Sequence, residues 1–136
     1  MKFFKKHRIS ILVALGMIMI TCVPVFATSR TIELPKDQVW TAKFSEPRTD
    51  KYSQVAAECD SVYPLSGSDN FTRIHCRVVN QSGTVISAQS YYVLTEGMSS
   101  TYIPIKEGYL NLSVVYFQFR GNSNSPAYAA VSYYGR

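Results

Sequence analysis

The sequence predicts an all-β protein, a single antiparallel β-sandwich. Three observations lead there. After residue 27 no run places apolar residues at i, i+3, i+4 and i+7, so no amphipathic helix is expected. The same stretch is rich in Val, Tyr, Thr and Ser, arranged in short runs that alternate apolar and polar. Turn residues separate those runs at short, regular spacing, as in a sandwich or barrel. The pattern leaves a jelly-roll and an immunoglobulin-like topology both open.

A different kind of element comes first. Lys2, Lys5, Lys6 and Arg8 form a basic head, and Ile9 to Ile20 is an apolar run broken only by Ser10 and Gly16. Val25-Phe26-Ala27 then sets small or medium apolar residues at the third-last and last positions of a cleavage site. This is the pattern of a helical secretory signal peptide over residues 1–27, with the sandwich domain at 28–136. An uncleaved anchor is the rival reading, because Ile9 to Ala27 could just cross a bilayer. Pro24, the cleavage site and the lack of basic residues just after Ala27 stand against it.

Within the domain, Thr31 to Leu34 is extended and is ended by Pro35. Val39 to Phe44 reads as a strand, and Ser45 to Lys51 as a polar turn region. Gln54 to Tyr63 alternates, with Val55, Ala57 and Cys59 opposite Glu58 and Asp60. Pro64 to Asn70 is a loop by composition. Phe71 to Val79 alternates again, with Ile74, Cys76 and Val78 on one face and Arg73, His75 and Arg77 on the other. Asn80-Gln81-Ser82-Gly83 turns the chain into a return strand, Thr84 to Leu94. Thr95-Glu96-Gly97 turns it once more. Pro104 confines Tyr102 to Ile105 to an edge or a strand end. Tyr109 to Arg120 is apolar enough on both faces to be central. Gly121 to Pro126 is a loop, and Ala127 to Tyr134 closes the domain.

Subtracting the leader changes the charge. The chain holds 14 Lys and Arg against 9 Asp and Glu, a net +5. Residues 1–27 contain four of the basic residues and no acid, so the remaining 109 residues carry 10 basic and 9 acidic groups, a net +1. A phosphate-binding surface needs a basic excess, so nucleic acid is not an expected partner. Nor is stable membrane insertion expected after cleavage.

Of the three cysteines, Cys22 falls in the leader, leaving Cys59 and Cys76. In an exported domain such a pair is expected to form a disulfide, worth about 3 kcal/mol in the chain-entropy picture. Pairing strands 54–63 and 71–79 with Cys59 opposite Cys76 also sets Glu58 opposite Arg77 and Asp60 opposite His75. Two attractive outer pairs then favour the same register as the inner sulfurs.

Asp60 and His75 are also two members of a hydrolytic triad lacking its serine. No Gly-x-Ser-x-Gly elbow is present, and the plainer account is a surface charge pair. His75 and Cys76 are neighbours on a strand and point to opposite faces, so no metal is expected; nor is any other cofactor.

All ten tyrosines lie after the leader, with the single tryptophan, Trp40. Tyr91-Tyr92 and Tyr133-Tyr134 must each turn one ring outward. The binding surface expected from this comprises Tyr91, Tyr133 and Trp40, with Asn122 and Asn124 in the polar loop. The function expected is a non-enzymatic binding module, secreted or held at the cell surface, with a cell-envelope glycan or protein as partner. A bacteriocin-like toxin or protease inhibitor and a small hydrolase using His75 are the alternatives.

Overall fold

A computed structural model describes residues 27–136. The expected leader, with Cys22, lies outside the described residues apart from Ala27. Eight strands form two four-stranded antiparallel sheets packed face to face. They are β1 (Thr28–Leu34), β2 (Phe44–Pro47), β3 (Gln54–Pro64), β4 (Arg73–Val79), β5 (Tyr92–Thr95), β6 (Thr101–Pro104), β7 (Val114–Gly121) and β8 (Ala127–Tyr134). Single 3₁₀ turns occupy Lys36–Gln38 and Glu107–Tyr109.

One sheet runs β1-β8-β3-β6 and the other β2-β7-β4-β5. The first four strands thus pair in reverse order with the last four: β1 with β8, β2 with β7, β3 with β6 and β4 with β5. A single long ribbon is wound across two layers, which is the jelly-roll order rather than the immunoglobulin-like one. Among consecutive strands only β4 and β5 share a sheet; every other connection crosses between layers.

The two inner faces are complementary in size. From one sheet come the smaller Val55, Ala57, Cys59, Ala127, Ala129 and Val131; from the other come Phe117 and Phe119, with Ile74, Val78 and Val115. Tyr133 fills the space among the rings, 4.8 Å from Phe117 and 5.9 Å from Phe119 between centroids. Small opposite large is how two flat faces interdigitate at native density.

Several expected elements are in place. Tyr102 to Ile105 is an edge, as Pro104 requires, with β6 last in its sheet. β7 is a central strand, as its sequence predicts; β8, expected only as the closing strand, is central in the other sheet. The turn at Asn80 to Gly83 closes with Gly83 at φ +89° and its N–H donating to Asn80 O at 3.0 Å.

Other elements differ. Residues 39–43 are not a strand; β2 begins at Phe44, the last residue of the expected strand, and runs into the expected polar turn as far as Pro47. The expected return strand 84–94 is broken by a bend at 88–90: Val85 makes a single bridge to Val79 at the end of β4, and only Tyr92–Thr95 forms a continuous strand beside it. In β3 the register shifts between Cys59 and Ser61, so Asp60 is an extra residue. Such a bulge reverses the alternation, which is why Val62 rather than Ser61 is buried.

The hairpin of 54–63 with 71–79 does not form, because β3 and β4 lie in opposite sheets. Glu58 stands opposite Ser132, and Arg77 opposite Gln118. The disulfide expectation falls with it: Cys59 and Cys76 are free, buried thiols. Each strand carries its sulfur into the shared core, but nothing in the register brings the two strands side by side.

Candidate functional site

The side chains that carry chemistry converge on the outward face of the β2-β7-β4-β5 sheet. β4 turns Ile74, Cys76 and Val78 into the core, so strand alternation sends Arg73, His75 and Arg77 outward. β7 buries Val115, Phe117 and Phe119 and turns out Tyr116, Gln118 and Arg120. The register sets His75 opposite Arg120 and Arg77 opposite Gln118, which makes Arg77 and Arg120 diagonal neighbours.

Trp40 reaches this face from an irregular segment. Thr41 extends the edge beyond β2 with two bonds to Phe119: its N–H donates to the carbonyl at 2.9 Å, and its hydroxyl accepts the Phe119 N–H at 3.0 Å. The Gln118 amide donates to Thr41 O at 2.8 Å. With Thr41 clamped, Trp40 lies over both arginines. The guanidinium carbons of Arg77 and Arg120 are 4.3 and 4.5 Å from its ring centroid. Arg120 also lies 5.0 Å from the ring of Tyr91, and Tyr91 stacks on His75 at 4.4 Å. Cation–π contacts of this kind contribute about 0.5–2 kcal/mol, more as water is excluded.

Both arginines are oriented through Nε. Arg77 Nε donates to Gln118 Oε1 at 3.0 Å, and Arg120 Nε donates to His75 Nδ1 at 2.9 Å. Among the described residues these are the only hydrogen bonds either guanidinium makes, so all four terminal nitrogens stay available. No outward position on β4, β5 or β7 is acidic. Burial, and then the neighbouring Arg120 charge, lower the pKa of Arg77, although an arginine remains charged.

His75 is buried, at 7% exposure. Because Nδ1 accepts from Arg120, the neutral ring carries its proton on Nε2. Burial first and the Arg120 charge second lower its pKa, while Asn122 beside it opposes the fall.

Of the expected site residues, Trp40, Tyr91 and Asn122 are brought together here. Asn124 is exposed on the same β7–β8 loop but is engaged elsewhere: its carbonyl accepts from Asp37 N–H, and its side chain faces Gln38. Tyr133 is not a surface residue. It is fully buried, its hydroxyl makes no hydrogen bond of full geometry, and its outward neighbour is Tyr134. The pattern that reveals this is in the sequence: Ala127, Ala129, Val131 and Tyr133 share one face of β8, opposite Tyr128, Ser132 and Tyr134. Asp60 and His75 do not meet, since Asp60 is on the other sheet and accepts from Ser132.

Arg77 and Arg120 were not among the expected site residues. Their outward orientation is readable from alternation, but the adjacency of β4 and β7 is not. The opposite sheet holds a second set of outward rings, Tyr63 and Tyr128 at one end and Tyr102 and Tyr134 at the other, with Glu33, Glu58 and Asp60 among them. Among the described residues no cluster of His, Cys, Asp and Glu could hold a metal ion. No family model matches the chain, and neither a curated protein nor a solved structure matches it.

Proposed function

We propose that the chain is an exported, non-enzymatic binding module, secreted or held at the cell surface, which contacts its ligand through the outward face of the β2-β7-β4-β5 sheet. One observation carries the reading. Trp40, Tyr91, Arg77 and Arg120 form an ordered array whose terminal guanidinium donors are unused. Planar rings and oriented donors, held rigid before the ligand arrives, lose little conformational freedom on binding. The export signal read at residues 1–27 supports a partner in the cell envelope, a glycan or a protein. The hydrolase alternative gains nothing from His75, whose Nδ1 is occupied by Arg120 and whose ring is covered by Tyr91.

Capture from envelope extract and from a panel of immobilised glycans tests this. The native chain should retain a ligand, and Trp40→Ala and Tyr91→Ala should each weaken retention by about tenfold, as for central aromatic anchors. Retention unchanged in both variants would remove this face from the function.

A further inference from the structure

Taking that face as the contact surface, we propose that its ligand is an acidic glycan, whose anionic groups are held by the guanidinium forks of Arg77 and Arg120. Two like charges side by side repel each other, and here no carboxylate separates them. Trp40 and the two Nε hydrogen bonds hold both groups in place, with Nη1 and Nη2 of each left free to grip oxygen atoms. A guanidinium fork matches the paired oxygens of a carboxylate or phosphate.

The positive charge continues beyond the pair. Arg73 stands four residues from Arg77 on the same outward face of β4, about 13 Å along the strand at 3.3 Å per residue. Lys43 lies 5.6 Å from the ring of Tyr116, further along β7. A strip of cations at spaced intervals suits a polymer with spaced anions better than one small ion. The exposed Tyr91 ring beside Arg120 gives a sugar ring an apolar face to lie on, and the Asn122 amide is close by. The opposite sheet carries Glu33, Glu58 and Asp60 outward, so a polyanion is attracted to one side of the sandwich and repelled by the other.

Titration calorimetry of the full chain tests the proposal with four probes: polygalacturonate for carboxylate, a phosphomannan for phosphate, neutral dextran, and a single-stranded oligodeoxynucleotide. One of the acidic glycans should bind at least tenfold more tightly than dextran and than the oligonucleotide, and the better one identifies the anion. Arg77→Gln and Arg120→Gln should each weaken it about tenfold, and the double variant should lose the preference over dextran. Glu58→Gln on the other sheet should leave affinity unchanged. Thermal melts of each variant separate a lost contact from a lost fold, and Arg120→Lys, which keeps charge without the fork, should recover only part of the affinity. Equal affinity for acidic and neutral glycans, a preference that survives the double variant, or tighter binding of the oligonucleotide overturns the proposal. If dextran binds and Trp40→Ala abolishes it, the binding-module reading stands and only the acidic specificity falls. If no glycan and no envelope component is retained, both fall.

Discussion

His75 is a buried imidazole whose Nδ1 accepts a hydrogen bond from a cation, Arg120, with the Asn122 side chain close by. Its pKa is lowered from the ordinary 6.5, by burial first and by Arg120 second. Between that lowered value and 6.5 the unfolded chain binds a proton that the folded chain refuses, so stability rises with pH there. Stability is therefore expected to fall as pH drops below 6.5, and His75→Gln should flatten that part of the curve. Urea midpoints between pH 5 and 7.5 measure it; identical curves for the two proteins would show that His75 does not carry the effect. Tyr133 gives the opposite kind of test. Its ring belongs in the aromatic core, but its buried hydroxyl makes no hydrogen bond of full geometry, although the Arg30 and Glu46 side chains lie near it. Removing an unsatisfied buried group relieves a desolvation cost, so Tyr133→Phe is expected to stabilise by about 1 kcal/mol. A destabilised variant would mean that the hydroxyl is satisfied after all.

At the scale of elements, the edges rely on side chains where strands stop. Thr41 continues the β2 edge along β7, and through it Trp40 is placed over the arginines. Arg48, just beyond β2, does something similar deeper in. It is buried, and its guanidinium donates to the carbonyls of Leu110 at 2.9 Å, Arg136 at 3.0 Å and Tyr52. Three segments distant in sequence are thus held by one planar fork, and desolvation lowers its pKa. Arg48→Ala leaves three carbonyls without this donor and is expected to cost about 3 kcal/mol. Urea denaturation checks this, and a loss below about 0.5 kcal/mol, the usual range for a surface change, would refute the account.

Across the whole molecule, the winding of one ribbon over two layers separates charge between the outer faces. Arg73, Arg77 and Arg120 stand on one, Glu33, Glu58 and Asp60 on the other. A chain that is nearly neutral in total after residue 27 therefore has a basic side. The same winding sends Cys59 and Cys76 into the core as separate thiols. Burial first, then Glu96 and Asp60, push Cys59 up to about 12, and burial raises Cys76 as well. Neither is a thiolate at neutral pH, so neither should react with a thiol reagent in the native state. After denaturation without reductant, a chain cleaved after Ala27 should show two thiols; one that keeps Cys22 should show three. No reactive thiol would mean that the sulfurs had joined.

The all-β class, the central position of β7, the edge at Pro104 and the turn at Asn80–Gly83 were legible in the residues, because each follows from local rules. Alternation, proline's missing N–H and glycine's freedom at positive φ act within a few positions. The outward placement of Arg77 and Tyr91 was legible for the same reason, and the burial of Tyr133 could have been read from its face-mates. What only the tertiary structure decided was which strands lie beside which. Nearly every connection crosses between sheets, so neighbours in sequence are seldom neighbours in space. The 54–63 hairpin, its disulfide and the Asp60–His75 pair all assumed the local partner. The array of Trp40, Arg77, His75, Tyr91 and Arg120 exists because β4 and β7, far apart in the chain, are paired, and because Thr41 is bound to β7. Non-local pairing depends on the total packing of two complementary inner faces, a sum that no short window of sequence contains.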